Sequence, residues 1–294
     1  MSTSQNAENA VAPKIEASPP TAPTYTPGAA ATHDVGLFFD QYAADWDSFY
    51  GPQAGGRAFD YLNRQRVALA CADELLPQPS RILEFGCGAG HTAVELAKRG
   101  HRVACVDISA EMIAATERTF ARVNLPAQSW QGTVHDVPDA WGSFDAVMAY
   151  GVMDYIPDAA GTLRRVAELL KPGGFCVLSY TNSATPFRWI ELPLKRFAAA
   201  LAYVVTRQTR FRDVAFRTSS GHSSAKVRDL YQAAGLQFVE DRYFSYGLRL
   251  GRFWCPPLFV VRRWDRLWSR SWLRGMGRGF MAIGRKPNDG GAQA

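Results

Sequence analysis

A glycine-rich segment carries the clearest chemistry in the sequence. Residues 84–90 read Glu-Phe-Gly-Cys-Gly-Ala-Gly, after an apolar run that predicts a strand and before a pattern that predicts a helix. Glycine lets a backbone turn sharply and approach a ligand without a Cβ in the way. The first amides of the helix favour an anionic part of that ligand. Gly86, Gly88 and Gly90 therefore predict a nucleotide-type site, with a plain strand-to-helix turn as the alternative.

An acidic residue strengthens this prediction. Asp107 follows the apolar run 103–106, where a carboxylate can accept hydrogen bonds from both hydroxyls of a ribose. The alternative role for Asp107 is to interact with the N-terminus of the next helix. A nicotinamide dinucleotide motif would place a third glycine where this sequence has His91, which argues against that cofactor.

The elements that must position these residues alternate along the chain. Apolar runs predict strands near residues 81–85, 103–106, 128–134, 144–150 and 175–180, and amphipathic helices lie between them. Such alternation predicts an α/β fold with a parallel sheet that is covered on both faces. Residues 236–244 and 279–284 predict two further strands. The predicted domain spans residues 33–286, between disordered segments at 1–32 and 287–294 that are poor in bulky apolar residues.

Four segments in order resemble the motifs of the class I S-adenosylmethionine-dependent methyltransferases. They are Ile82–Gly90, Val106–Ser109, Phe144–Met148 and Leu170–Phe175. The resemblance implies a Rossmann-like, doubly wound, seven-stranded sheet whose last strand is antiparallel. It implies methyl transfer with S-adenosyl-L-methionine as the cofactor.

The resemblance also implies roles for single residues in binding the cofactor. Gly86, Gly88 and Gly90 would line its methionine and ribose side, Glu84 would orient the loop, and Asp107 would hold the ribose. The remaining implied contacts are Ile108 and Met112 beside the adenine, Asp136 and Val137 at the adenine amino group, Tyr150 below the methionine part, and Tyr42 and Trp46 from an aromatic N-terminal helix. Core packing is the alternative for the two aromatic residues.

Two residues are the leading candidates for a catalytic base. Asp154 lies just past the fourth strand, and His222 precedes the helix that leads to the sixth strand. His135 and Tyr155 are weaker candidates. A structural role is the alternative for each of these residues. A base is needed only for a hydroxyl acceptor, since methyl transfer by proximity needs none. The sequence leaves O-, C- and N-methylation open.

Composition limits the classes of protein to consider. Apolar residues make up 47% of the chain, which supports a folded core. The five cysteines are scattered without a CxxC pair, which argues against a disulfide framework and a metal site. No apolar run reaches the ~18 residues that span a bilayer, and no signal-like segment is present at the start. These features predict a cytoplasmic protein, with peripheral contact at the inner face of the membrane as a second prediction.

Two insertions, at about residues 182–222 and 248–276, predict helical segments that form a substrate lid. Between Arg188 and Lys286 the chain holds 20 Lys and Arg against six Asp and Glu. Arginines alternate with aromatic residues in the second insertion, and Val260, Trp264, Leu267 and Trp268 share one helical face. This pattern predicts either an interfacial helix at an anionic membrane or a lid with a solvated basic face.

The bulky apolar insertions favour a hydrophobic small-molecule acceptor, such as a quinone, polyketide, tetrapyrrole or lipid precursor. Two alternatives stay open. The basic half favours a nucleic-acid methyltransferase, although no recognisable nucleic-acid-binding module is present. A non-catalytic partner protein could also keep the cofactor fold.

Overall fold

The computed structural model describes residues 35–37, 39–41, 43, 46, 50, 55–191, 193–194, 197, 221–247 and 258–288. The segment 1–32 and Tyr42 lie outside these residues. So do residues 289–294 and much of both insertions.

A single seven-stranded sheet forms the centre of the described chain. Its strands are β1 (Arg81–Phe85), β2 (Arg102–Asp107), β3 (Gln128–Gln131), β4 (Phe144–Ala149), β5 (Leu170–Thr181), β6 (Gln237–Phe244) and β7 (Gly279–Arg285). Their spatial order is β3-β2-β1-β4-β5-β7-β6. Strands β1 to β5 pair in parallel, and β7 runs antiparallel between β5 and β6. This arrangement confirms the predicted fold.

Helices cover both faces of the sheet. They are α1 (Gly55–Leu75), α2 (His91–Lys98), α3 (Ala110–Ala121), α4 (Ala159–Leu169), α5 (Ser224–Ala233) and α6 (Leu258–Trp268). The side chains of Ser109, Asp158 and Ser223 accept a backbone N–H in the first turns of α3, α4 and α5. Each cap satisfies an amide that the helix leaves free, which favours the start of the helix at that residue.

The core consists of two layers, one on each face of the sheet. Alternation along β1 shows the division, since Leu83 and Phe85 point into one layer and Ile82 into the other. Helices α4 and α5 close the first layer through residues such as Leu163 and Tyr231. Helices α1, α2 and α3 close the second layer. Nearly all side chains of β1, β2 and β4 are buried, as expected for a parallel sheet covered on both faces, whereas those of the outer strand β3 are half-buried or exposed.

Two strands differ from the sequence prediction. Strand β3 ends at Gln131 rather than near residue 134, because Gly132 has a φ of 152° and Thr133 caps a short 3-10 helix at Val134–Asp136. Strand β5 begins at Leu170 rather than near residue 175, and so includes the Pro-Gly-Gly segment at 172–174. Leu170 pairs with Phe144, and an irregularity in the register between Phe144 and Ala146 absorbs the extra residues.

The described parts of both insertions contain helices. Residues 186–191, 193, 194 and 197 are helical in the first insertion, and α6 followed by a 3-10 helix at Trp272–Met276 forms the second. Among the described residues, no helix has the length and apolar character needed to cross a bilayer.

Candidate functional site

The glycine turn between β1 and α2 has a backbone that only glycine adopts readily. Gly86 and Gly88 have φ values of 63° and 56°. A Cβ at Gly86 would overlap the side chain of Val152, and a Cβ at Gly88 would lie 3.0 Å from Nε1 of Trp46. Side chains therefore pack closely on the bare backbone of the turn, and both glycines also line the neighbouring cavity, where a ligand can approach the backbone closely.

Asp107 is fixed against this turn. Its Oδ2 accepts a hydrogen bond from the backbone N–H of Gly88 at 2.8 Å, and its Oδ1 accepts one from Ser109 at 3.0 Å. Ser109 caps α3 with its own hydroxyl, so Asp107 is not needed as the cap. Burial raises the pKa of Asp107 to about 6, although the hydrogen bonds from Ser109 and Gly88 oppose this effect. Each carboxylate oxygen retains a lone pair for a ligand hydroxyl.

A cavity of about 480 Å³ opens at the carboxyl ends of the strands, beside the turn. This position is where ligands bind in open α/β sheets, and the volume lies in the range of small-molecule sites. Its lining includes most of the predicted cofactor residues: Trp46, Gly86, Gly88, Asp107, Ile108, Met112 and Tyr150. Gly90 begins α2 just beyond the turn, and a Cβ there would lie 2.9 Å from Thr116.

Glu84 is a buried acid with an unsatisfied atom. Its side chain is 3% exposed, and its Oε2 has no hydrogen-bond partner among the described residues. Burial is the largest cause that raises the pKa of Glu84 to about 8, the nearby carboxylate of Asp107 adds to it, and Arg64 opposes it. A cationic or hydrogen-bond-donating ligand in the adjacent cavity would supply the missing partner of this buried carboxyl group.

Arg64 is a site residue that the sequence analysis missed. It belongs to α1 and lines the cavity, where its guanidinium lies over the ring of Tyr61 at 5.1 Å from the centroid. A Cβ at Gly151, after β4, would overlap the same guanidinium. Nothing in the local sequence marks Arg64, because the helix carries several polar residues and only the packing of α1 against the sheet decides which one faces the cavity.

Aromatic rings form one wall of the cavity. Phe39 meets Trp46 at 5.8 Å and Tyr155 at 5.5 Å between ring centroids, in edge-to-face geometry. Trp46 also meets Tyr61 at 5.6 Å. The predicted aromatic cover is thus present through Phe39 and Trp46, while Tyr42 lies outside the described residues. Electron-rich ring faces suit a cationic ligand atom.

The adenine end of the predicted site differs from the prediction in its details. Asp136 is exposed and does not line the cavity, because its Oδ2 accepts from the backbone N–H and the hydroxyl of Thr133 at 2.8 and 2.6 Å. These hydrogen bonds lower the pKa of Asp136. Val137 is buried in the core. The residues of this loop that do line the cavity are Gly132, Thr133, Val134 and His135.

The two predicted bases lie next to each other. Nδ1 of His222 is 3.6 Å from Oδ1 of Asp154, and Oδ2 of Asp154 accepts a 2.5 Å hydrogen bond from the hydroxyl of Thr181. Backbone hydrogen bonds from His222 to Thr181 and from Ser183 to His222 hold the loop at the end of β5. Both facing atoms are buried without another partner among the described residues.

This pair adjoins the cavity without lining it. Tyr155, which follows Asp154, and Val152 are cavity residues, whereas Asp154 and His222 are not. The described parts of the two insertions contribute no residue to the lining either. The described residues contain no group of His, Cys, Asp and Glu that could hold a metal ion.

Comparison with known proteins by sequence identifies relatives. Residues 82–174 match the family model described as a methyltransferase domain. A ubiquinone biosynthesis O-methyltransferase from Methylocella silvestris is 31% identical over 191 residues, which cover 60% of this chain and 70% of that protein.

Comparison by structure gives the same fold. Magnesium protoporphyrin IX methyltransferase from Synechocystis PCC 6803, with S-adenosylhomocysteine bound, is 17% identical with a TM-score of 0.57, covering 87% of this chain and 99% of that chain. The 4+2 cyclase SpnF is 18% identical with a TM-score of 0.60, covering 92% and 98%. At this identity the likeness concerns the fold alone.

Proposed function

The chain belongs to the class I S-adenosylmethionine-dependent methyltransferases, and from this premise we propose that its acceptor is a hydrophobic small molecule. S-adenosyl-L-methionine is the cofactor, and the enzyme transfers a methyl group. Beyond the residues assigned to the cofactor, apolar and aromatic side chains outnumber the polar ones in the lining, and this observation carries the proposal. The apolar and aromatic set includes Val35, Phe39, Val152, Tyr155, Ile156 and Pro157, and the polar residues are Thr133, His135, Asp158 and Thr162. Apolar walls bind an apolar acceptor by removing its surface from water.

The name of the relative found by sequence supports the same class of acceptor. The Methylocella relative is named for ubiquinone biosynthesis and for O-methylation. A quinone, tetrapyrrole, polyketide or lipid precursor is therefore the class we propose, and O-methylation the reaction.

Different residues of the site are suited to different parts of the cofactor. We assign Asp107 to the ribose hydroxyls and the turn at Gly86 and Gly88 to the close approach of the backbone. Arg64, which the sequence did not reveal, is suited to the carboxylate of the methionine part because a guanidinium binds a carboxylate through paired hydrogen bonds. Glu84 offers its unpaired oxygen to a cationic or N–H group nearby.

When bound, the cofactor supplies an electrophilic methyl group on a sulfonium, so the protein has to orient the acceptor and exclude water. The aromatic wall of Phe39 and Trp46 excludes water. For a hydroxyl acceptor, we propose that His222 receives the proton at Nε2. Nδ1 faces Asp154, which would orient the imidazole and stabilise its charged form, as a carboxylate does for a catalytic histidine.

The most direct test of the acceptor class is a labelling experiment. The protein is incubated with methyl-labelled cofactor and either a lipid-soluble or a water-soluble extract of its source cell. We expect label in a product that partitions into the organic phase, and less of it with the Asp107→Ala variant at a cofactor concentration that does not saturate that variant. Label confined to RNA, DNA or a polar metabolite would contradict the proposed acceptor.

The role of His222 is tested on the product so identified. His222→Ala is expected to lower the single-turnover rate by roughly 10²–10⁴-fold, since that is the usual contribution of a general base. Cofactor affinity should be unchanged, and the rate should recover as the pH rises and the acceptor hydroxyl ionises by itself. Asp154→Asn should show a smaller loss with the same recovery. A wild-type rate in His222→Ala would remove the base from the mechanism.

A further inference from the structure

The outer surface of α6 carries only positive charge. Arg262, Arg263 and Arg266 are exposed, and Arg270 and Arg274 continue the exposed arginines beyond the end of the helix. The only acidic residue between Leu258 and Gly277 is Asp265, which is 3% exposed. This segment therefore presents five arginines to the surroundings with no carboxylate among them.

The buried Asp265 fixes the orientation of α6. Its carboxylate accepts hydrogen bonds from the side-chain amide of Asn63, from the backbone N–H of Tyr246 at 2.9 Å and from that of Ser245 at 3.4 Å. Asn63 belongs to α1, next to Arg64 of the cavity. Because the one acidic residue is anchored inward by Asn63 of α1 and by the backbone after β6, the arginines of α6 are held outward.

Large apolar side chains are exposed among these arginines. Phe259 is 74% exposed, Leu267 58% and Trp272 91%. We name this surface the basic aromatic face; it comprises Phe259, Arg262, Arg263, Arg266, Leu267, Arg270, Trp272 and Arg274. A soluble surface rarely concentrates apolar side chains in this way unless they contact a partner.

The helical part of the first insertion extends the same region. Trp189 is 75% exposed and Phe197 71%. Phe187 stacks on Trp268 with ring centroids 6.2 Å apart and planes 12° apart, so this helix is a neighbour of α6. The hydroxyl of Thr185 also donates to the carbonyl of Met276 at 2.7 Å. The exposed aromatic residues of both insertions thus belong to one region of the molecular surface.

We propose that the basic aromatic face docks on the surface of an anionic phospholipid bilayer. Exposed tryptophan and phenylalanine enter the boundary between headgroups and acyl chains, and arginines on the same helix bind lipid phosphates. The uniform positive charge complements an anionic bilayer, whereas a second copy of this chain would bring arginines against arginines. The inference deepens the proposed function, on which it rests, because a bilayer is where a lipid-soluble acceptor is dissolved.

Flotation with lipid vesicles tests this inference without any acceptor. The full chain is mixed with vesicles of phosphatidylcholine alone, or of phosphatidylcholine with phosphatidylglycerol. We expect flotation with the anionic vesicles only, and weaker binding at high salt because the charges are screened. Replacing Arg262, Arg263 and Arg266 by Gln should lower the partition coefficient on the order of 100-fold, from roughly fivefold for each basic residue.

A matched variant separates this face from net charge. Arg102, Arg118 and Arg122 are exposed on the part of the chain before α4, and replacing these three by Gln removes the same charge. This control should float like the wild type, and Trp272→Ser should bind less. Equal flotation of the two triple variants would overturn the inference, as would binding to neutral vesicles alone.

Two further measurements distinguish docking on lipid from dimerisation and from misfolding of a variant. Sedimentation velocity would overturn docking on lipid if the wild type were a dimer that Trp272→Ser dissociates. Calorimetric binding of S-adenosylhomocysteine to each variant confirms that it is folded. A protein that binds the cofactor product and labels a lipid-soluble acceptor but ignores vesicles would refute the docking face and leave the proposed function intact.

Discussion

Two buried carboxyl groups, Glu84 and Asp107, lie at the glycine turn, and the carboxylate of Asp107 adds to the effect of burial in raising the pKa of Glu84. Asp107 is compensated by two backbone N–H groups, whereas Oε2 of Glu84 has no partner among the described residues. This difference explains why the pKa of Glu84 rises further, to about 8 against about 6 for Asp107. The acid with the unsatisfied oxygen is thus mostly neutral at pH 7 before a ligand binds.

The pKa of Glu84 has a consequence for stability. Since the folded protein holds this proton more tightly than the unfolded chain, the stability contributed by Glu84 is complete below pH ~4.5 and is lost as the pH rises to about 8. Glu84→Gln keeps the neutral shape, so it should be more stable than wild type near pH 8, on the order of 1–3 kcal/mol. The two should be similar near pH 5. Urea unfolding of the ligand-free proteins measures this, and parallel pH profiles would contradict it.

Arg64 gives a sharper test of how the methionine part is held. Arg64→Met should weaken S-adenosylhomocysteine by roughly 10–100-fold, because a charged hydrogen-bonding partner of the carboxylate is lost. 5′-Methylthioadenosine has no amino-acid part, so its affinity should not change. Arg66→Met is the matched control on the same helix, with a side chain that is 62% exposed. Equal weakening of both ligands would show that Arg64 acts through the fold instead.

At the scale of residues, the sequence predicts the site where one continuous segment forms it. The turn at Gly86 and Gly88 and the acid at Asp107 follow directly from their strands, and the structure brings them together. Asp136 shows the limit, since its side chain is taken up by a local cap with Thr133 that depends on where β3 ends. Arg64 could not be found, because its role depends on how a distant helix packs on the sheet.

Among the elements, Asp145 links the starts of three strands at the edge opposite the cavity. Its Oδ2 accepts from the backbone N–H of Arg81 in β1, and its Oδ1 accepts from Lys171 in β5, each at 2.7 Å. Asp145→Ala should lower the free energy of unfolding by roughly 1–3 kcal/mol, because charged hydrogen bonds are lost. Affinity for S-adenosylhomocysteine should be unchanged.

Denaturant unfolding measures the free energy of unfolding of Asp145→Ala, and calorimetry measures its affinity for S-adenosylhomocysteine. Asp139→Ala is the control, since the side chain of Asp139 is fully exposed and its ion pair with Arg165 spans 3.7 Å. Such a surface pair contributes little. A loss of cofactor affinity in Asp145→Ala, with stability unchanged, would contradict the assignment of Asp145 to the sheet.

Strands are predictable where a continuous apolar run marks them. The runs at 81–85, 103–106 and 144–150 become β1, β2 and β4 almost to the residue. The boundary before β5 is predicted wrongly because Gly173 and Gly174 suggest a helix end, whereas pairing of Leu170 with Phe144 extends the strand. Long-range pairing of this kind leaves no local signal.

For the whole molecule, acidic and basic residues are concentrated in different parts of the chain. The residues that line the cavity all come from the part before residue 182, which holds most of the acidic residues. The basic part after it supplies β6, β7 and the basic aromatic face. The seven-stranded sheet could be predicted from the resemblance. The packing of α6 against α1 could not, since it depends on a hydrogen bond from Asn63 to Asp265, which are about two hundred residues apart in the chain.

The central claim is that Asp107 holds an adenosyl cofactor above the glycine turn. Calorimetric titration of S-adenosylhomocysteine into the wild type, Asp107→Ala and Asp229→Ala tests it most directly, since Asp229 is an exposed aspartate on α5. The account predicts equal binding by the wild type and Asp229→Ala, and roughly 10–100-fold weaker binding by Asp107→Ala, whose charged hydrogen-bond acceptor is missing. Undiminished binding by Asp107→Ala, or no binding by the wild type, would contradict it.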